Sequence, residues 1–328
     1  RACSPLTQAP SAPSAPPSRR ATHERGVEVS LLVLDWGIGG LATLKALRAR
    51  APHLPLLYLS DAGFTPYGRV PHEALGARLE ALCEAIESLH GPLSGLMVAC
   101  NAASSALTPA LKLPLTLSVI ESGVEATLDA LAQLPQLREL YDPLRVGVVG
   151  GEATIRSRLY ERALTARAEA HLRAPLEVLS VVAQPISAHV EAGRLSGPEL
   201  EADLELICAP LRGVHALTLA CTHYPAVRER FSAQLPHALL IDPLDHFVAR
   251  GLERWGAPPL VPPPSPVPLT LYTTGDINAF VEGARLAWGV NMSDLNTSEA
   301  QLKHLDPHLL TPLTTHLPTH SPTQASDP

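Results

Sequence analysis

Leu96-Met97-Val98-Ala99-Cys100-Asn101 and Leu217-Thr218-Leu219-Ala220-Cys221-Thr222-His223 decide the fold: each is a short apolar run that ends on a cysteine followed by polar side chains. A strand buried inside a parallel sheet reads as such a run, because helices cover both of its faces. Its carboxyl end opens onto the crevice where α/β proteins bind ligands. Two runs of this kind predict two strand ends that each present a thiol, both facing one site.

Outward from these runs, apolar stretches alternate with helical patterns, the arrangement of βαβ units. Before Cys100, strands are predicted at Leu31-Leu32-Val33-Leu34 and Leu56-Leu57-Tyr58-Leu59, with helices over about 41–49 and about 71–89. Before Cys221, Arg145-Val146-Gly147-Val148-Val149 and Leu176-Glu177-Val178-Leu179-Ser180 read as strands, with helices over about 154–168 and about 199–212. Leu269-Thr270-Leu271-Tyr272 and a helix over about 277–287 follow a Pro-rich segment and are expected to return to the first unit.

The expected fold class is therefore α/β: two similar α/β domains with parallel-type sheets and a cleft between them. The first domain is read as 28–122 plus 244–292 and the second as 123–243. The Pro-, Ser- and Ala-rich stretch 1–27 is expected to be a disordered leader, and the Thr-, His- and Pro-rich stretch 293–328 a disordered tail.

Composition narrows the function. The chain has 328 residues, long enough for two domains, and a formal net charge of −7, which argues against a nucleic-acid partner. No apolar run approaches the roughly 18 residues of a membrane span, and residues 1–27 lack the apolar core of a signal peptide. Cys3, Cys83, Cys100, Cys208 and Cys221 show no metal-ligand spacing, so no metal site is expected, and their odd number favours a reducing compartment.

Two facing thiols suit the chemistry of a carbon acid. Inverting a stereocentre beside a carboxylate requires one group to remove the α-proton and another to deliver a proton to the opposite face. A cysteine can do either, since its ordinary pKa near 8.5 leaves thiol and thiolate both accessible. A thiolate needs a positive neighbour or oriented donors, which Asn101, Thr222 and His223 could supply.

Each candidate also has a plainer reading. Free cysteine is most often a small buried hydrophobe; Cys83, within an amphipathic helix, and Cys208, within Leu206-Ile207-Cys208, are read that way. Asp35 could be a turn former or helix cap. The Gly37-Gly39-Gly40 cluster lacks both GxGxxG and a following Gly-Lys-Ser/Thr, so phosphate binding is not expected. Lys45, Lys112 and Lys303 are the only lysines, and none has the setting of a Schiff-base residue, which disfavours a pyridoxal-phosphate enzyme.

The chain resembles the glutamate racemase family of the aspartate/glutamate racemase superfamily. The resemblance rests on Asp35-Trp36-Gly37-Ile38-Gly39-Gly40-Leu41, Pro66-Tyr67-Gly68, Cys100-Asn101-Ala102-Ala103-Ser104, Ala153-Thr154-Ile155, Val190-Glu191-Ala192-Gly193 and Cys221-Thr222-His223-Tyr224-Pro225, in the family's order. It implies a cofactor-independent racemase with Cys100 and Cys221 as the catalytic thiols. It places Asp35 beside the substrate amino group or the first thiol, and His223 beside the second. Tyr67, Gly68, Asn101 and Thr222 would contact the substrate, with Glu191 and Thr154 in support. It further implies a small-molecule amino-acid substrate, D-glutamate supply for peptidoglycan, a cytoplasmic location and a homodimer.

The chain also departs from the family pattern. Trp36 stands where serine is usual, Ala102 where threonine is usual, and Ala62-Gly63-Phe64-Thr65 alters the run before Pro66. A lost hydroxyl in a binding site costs about 1–3 kcal/mol if nothing replaces it. Two alternatives therefore stand beside a glutamate racemase: a related racemase for aspartate, a hydantoin or an arylmalonate, and a weakly active or inactive binding module.

Overall fold

A computed structural model describes residues 30–134, 143–256, 267, 269–290 and 301–306. The expected leader, 1–27, and residues 293–300 and 307–328 of the expected tail lie outside the described residues.

Two parallel sheets carry the fold. The first contains β1 (Leu31–Asp35), β2 (Leu56–Ser60), β3 (Gly95–Val98), β4 (Thr116–Ser118), β9 (Leu269–Thr273) and β10 (Gln301–His304), in the order β10-β9-β2-β1-β3-β4. The second contains β5 (Leu144–Gly150), β6 (Leu176–Val182), β7 (Ala216–Ala220) and β8 (Leu239–Ile241), in the order β6-β5-β7-β8. All the pairings are parallel.

The strand residues divide between the faces with a period of two, as the pleat requires. Leu31 and Val33 point into one core, which receives α1 (Leu41–Arg50), α10 (Leu244–Trp255) and α11 (Ile277–Trp288). Leu32 and Leu34 point into another, closed by α2 (His72–His90) through Leu75, Leu79, Leu82 and Ile86. In the second sheet, Leu217 and Leu219 face α7 (Gln184–Glu191), α8 (Pro198–Cys208) and α9 (Arg228–Gln234). Ala216 and Ala220 face α4 (Val119–Ala132) and α6 (Leu159–Leu172). Thr218 is the polar residue of β7, and its hydroxyl meets that of Thr127 on α4 at 2.8 Å, so burial leaves neither unsatisfied.

Both sheets reverse their winding at one point. The chain passes from β1 to β2 on one side and then places β3 on the other; β5, β6 and β7 repeat the move. Such switch points open crevices at the carboxyl ends of the strands. Cys100 follows β3 at one of them and Cys221 follows β7 at the other.

Two expectations need correction. The helix expected over 154–168 is two helices, α5 (Glu152–Ser157) and α6, broken at Arg158, whose φ of 54° is left-handed. The Ser157 hydroxyl accepts the Leu159 N–H and replaces a helical bond at the break. The stretch expected as a disordered tail from 293 contains β10, which adds a parallel edge to β9. Leu302 packs into one core of the first sheet and Leu305 into the other, while the Lys303 ammonium lies 6.0 Å from the Tyr272 ring centroid. Polar residues next to this short edge strand hid its apolar positions.

Among the described residues, no helix is long and apolar enough to cross a membrane.

Candidate active site

The two crevices merge into one cavity of about 780 Å³, and Cys100 and Cys221 both line it. Cys100 is the N-cap residue of the short helix α3 (Asn101–Ser105), so it leaves β3 at the point where the chain turns. Its Sγ is buried. Burial and the nearby Asp35 carboxylate push the Cys100 thiol well above its ordinary value, against the backbone N–H groups of Ala103 and Trp36.

Cys221 is half-buried, and its Sγ lies 3.6 Å from His223 Nδ1. The other ring nitrogen, Nε2, meets Glu191 Oε1 at 2.5 Å. Burial opposes a charged imidazole, but the Glu191 carboxylate and the Cys221 sulfur outweigh it and raise His223 well above its ordinary value. Burial likewise opposes charge on Glu191, yet His223 and the Ile38 N–H hold this carboxyl below its usual value. Glu191 and His223 therefore form an ion pair beside the second sulfur, with the imidazole buried and the carboxylate half-buried.

The turn after β1 fits tightly against this pair. Ile38 N–H donates to Glu191 Oε1 at 3.0 Å. A Cβ on Gly37 would stand 1.9 Å from Glu191 Oε1, and one on Gly39 would stand 2.3 Å from Thr222 Oγ1. The glycines of this turn thus admit side chains from the second half, which is why they do not follow a phosphate-loop pattern.

Asp35 is placed differently from one of the expectations for it. It is fully buried and does not line the cavity. Its Oδ2 accepts the Gly40 N–H at 2.8 Å, and both carboxylate oxygens lie 3.3 Å from the Thr222 hydroxyl. Burial raises this carboxyl above its usual value, while His223 and the Gly40 N–H act against that. Since the cavity does not reach it, Asp35 acts on the first thiol through its field and on Thr222 through a hydrogen bond.

The remaining candidates line the cavity. The Asn101 carbonyl oxygen accepts the Tyr160 hydroxyl at 2.9 Å, which orients the amide at the cavity lining. Ala102 adds only a methyl group beside it, and Thr154 enters from α5. Tyr67 and Gly68 form part of a 3₁₀ turn, Tyr67–Arg69, with the Tyr67 hydroxyl bound to Asp61 at 2.8 Å. Trp36 is a wall of the cavity and does not fill it; its Nε1–H donates to the Phe64 carbonyl at 3.2 Å. The Phe64 ring lies under the Arg78 guanidinium at 4.5 Å, and Arg78 pairs with buried Asp61 at 2.7 Å. Two departures from the family pattern, Trp36 and the 62–65 run, are thus parts of one construction.

Sequence reasoning missed Arg69, Gln184, Ser187 and Asp276, which also line the cavity. Arg69 closes the 3₁₀ turn that follows Pro66, α7 carries Gln184 and Ser187, and the turn before α11 carries Asp276; only the tertiary fold brings them together. Among the described residues, no group of three or more His, Cys, Asp or Glu side chains is arranged to hold a metal ion.

The profile of the family described as Asp/Glu/Hydantoin racemase matches residues 41–250, most of the chain. The chain belongs to that racemase family. Within it, a glutamate racemase of a Parafrankia species is 32% identical over 276 residues, covering 82% of this chain and 94% of the relative. A glutamate racemase of Cupriavidus pinatubonensis is 30% identical over 224 residues, covering 68% of this chain and 77% of its own length. Among solved structures, glutamate racemase from Thermus thermophilus, in complex with β-chloro-D-alanine, is 25% identical with a TM-score of 0.66, covering 87% of this chain and 100% of that one. A glutamate racemase of Bacillus anthracis shares the fold, with a TM-score of 0.68 at 23% identity, covering 86% and 98% of the two chains.

Proposed function

We propose that this member of the racemase family interconverts L- and D-glutamate without a cofactor, using Cys100 and Cys221 as its two acid/base groups. The observation that carries the reading is that the two cysteines, from the switch points of two separate sheets, line one cavity. The names of its relatives, glutamate racemases over most of their length, support the substrate.

The chemistry runs as a proton relay across the α-carbon. One sulfur, as thiolate, removes the α-proton and becomes a thiol; the electron pair moves into the α-carboxylate. The opposite thiol then delivers its proton to the other face and is left as thiolate, so the two sulfurs exchange states with each inversion. Cys100, whose environment disfavours charge, holds its proton in the resting enzyme, and Cys221 stands beside the His223–Glu191 pair. Asn101 and Thr154 donate to the carboxylates of the substrate, while Tyr67, Gly68, Ala102 and Trp36 shape its enclosure. Asp35 is the positioning residue for Thr222.

This reading treats 28–122 with 244–292, and 123–243, as the two units that enclose the substrate, a division the sheets support except that β10, beyond 292, joins the first. It also makes the product a source of D-glutamate for peptidoglycan, in a cytoplasmic enzyme acting as a homodimer.

The test is incubation of L- or D-glutamate with the chain in deuterated buffer. Loss of optical rotation with α-deuterium uptake is expected, and Cys100→Ala or Cys221→Ala should each reduce it at least about 10³-fold. Absence of exchange from both enantiomers, or full activity in either variant, refutes the reading.

A further inference from the structure

Because Cys100 holds its proton at rest, an inversion that starts from rest needs Cys221 as the thiolate, and Cys221 must give up a proton before each such round. Its neighbours do not take that proton. Burial opposes charge on His223, but Glu191 and Cys221 raise it well above its ordinary value, so its ring is already protonated. Burial raises the Tyr160 hydroxyl too, with the charges of Asp242 and Cys221 adding to the rise, and it stays a donor to Asn101.

A second cavity reaches the same sulfur. Its volume is about 20 Å³, room for one water, and it shares Asn101, Cys221 and Thr222 with the large cavity. The rest of its lining is apolar or glycine except for Thr43 and Asp242. Thr43 comes from α1 of the first half; it is 3% exposed, and its hydroxyl has no partner among the described residues. Asp242 follows β8, the parallel neighbour of β7, so it stands beside the strand that delivers Cys221. One of its carboxylate oxygens accepts the Leu244 N–H at 3.0 Å, and the other has no partner among the described residues. A hydroxyl and a carboxylate oxygen that line one small space without partners are what an ordered water requires.

Asp242 also has the character of a proton carrier. It is half-buried and does not line the large cavity. Burial raises its carboxyl above the ordinary value, against the Leu244 N–H and Arg228, and Asp245 adds to the rise. The rise narrows the gap in proton affinity between this carboxyl and a thiol.

We propose that the small cavity holds one ordered water linking Cys221 Sγ to Asp242, and that Asp242 takes the Cys221 proton between inversions. The proposal rests on the reading of Cys221 as a racemase thiol. The step needs no further reagent: the thiol gives its proton to the water, the water gives one of its own to the Asp242 carboxylate, and the carboxylic acid releases it to solvent. The large cavity thus handles the amino acid, and the small one resets the sulfur.

The experiment combines a crystal structure of the unaltered chain with racemisation kinetics, followed by circular dichroism, of that chain, Asp242→Asn and Thr43→Val. The crystal is expected to show one water within hydrogen-bond distance of both the free Asp242 oxygen and Cys221 Sγ. Asp242→Asn keeps the shape and the Leu244 N–H bond but cannot take a proton, so kcat is expected to fall about 10-fold while kcat/KM changes less than about 2-fold. Thr43→Val, which removes one partner of the water, should give the same pattern at about 3-fold. An unchanged kcat in Asp242→Asn, an equal fall in kcat and kcat/KM, or a small cavity without a water overturns the proposal and leaves the racemase reading intact. Absence of racemisation by the unaltered chain refutes the racemase reading instead; a water between Asp242 and Cys221 then still supports the link, and its absence overturns that as well.

Discussion

Cys100 and Cys221 occupy equivalent places, each just past the carboxyl end of a strand at a switch point, yet their surroundings are opposite in sign. The first is buried at the head of a short helix with the Asp35 carboxylate nearby; the second is half-buried beside an imidazole held by a carboxylate. The fold repeats, and the charges do not. The difference teaches how one repeated fold gives two chemically identical groups unlike neighbours: burial and an anion keep the first sulfur protonated, while the second stands against an imidazole–carboxylate pair.

Removing the cation's partner should break this contrast most severely. Glu191→Gln is expected to lower kcat for glutamate by about 10²-fold, measured by α-deuterium uptake. It should also remove about 2 kcal/mol of stability, since one buried charge loses its partner. The sign follows from the two shifts. His223 is raised, so its contribution is complete below its ordinary value of 6.5 and fades as pH climbs through the raised value. Glu191 is lowered, so its contribution is complete above its ordinary value of 4.5 and fades as pH drops through the depressed value. The stability gap between the natural chain and the variant, from denaturant midpoints, should be widest between those ordinary values and narrow on either side.

Asp35→Asn sharpens the comparison from the other side. The Gly40 N–H and Thr222 bonds can persist to the amide oxygen, but the charge that disfavours a Cys100 thiolate is gone. In a Cys221→Ser background, the pH dependence of Cys100 alkylation should move to lower pH. An unmoved profile would assign the raised value to burial alone.

The smallest effect belongs to the wall of the first thiol's side. Trp36→Phe keeps an aromatic face but deletes the Nε1–H donated to Phe64, at about 1 kcal/mol. A fall in Tm of about 2–4 °C is expected for a chain of this size. No fall would mean that Trp36 and the 62–65 run are independent.

The strand ends were the legible part of the molecule. Leu31–Leu34 and Leu217–Leu219 are covered on both faces, so they appear in the text as unbroken apolar runs, and the thiols follow directly from where such runs stop. Arg158 was illegible because a left-handed non-glycine residue leaves no mark on helical periodicity; the Ser157 cap that supports it is a local geometry. β10 escaped because an edge strand has few apolar positions to show. At the site, Trp36 was recognisable as unusual, but its bond to a carbonyl 28 residues along the chain was not. Asp35 was expected beside the substrate amino group or the first thiol, and the Thr222 hydroxyl that covers it arrives from the other sheet.

Three side-chain bonds join the halves around the catalytic space: Glu191 accepts the Ile38 amide while also holding the His223 ring, the Thr222 hydroxyl donates to Asp35, and the Tyr160 hydroxyl donates to Asn101. Any displacement of one half from the other would stretch these same links. The contacts that hold the two halves together are therefore the ones that set the surroundings of both sulfurs, so any change that loosens the seam reaches the chemistry directly.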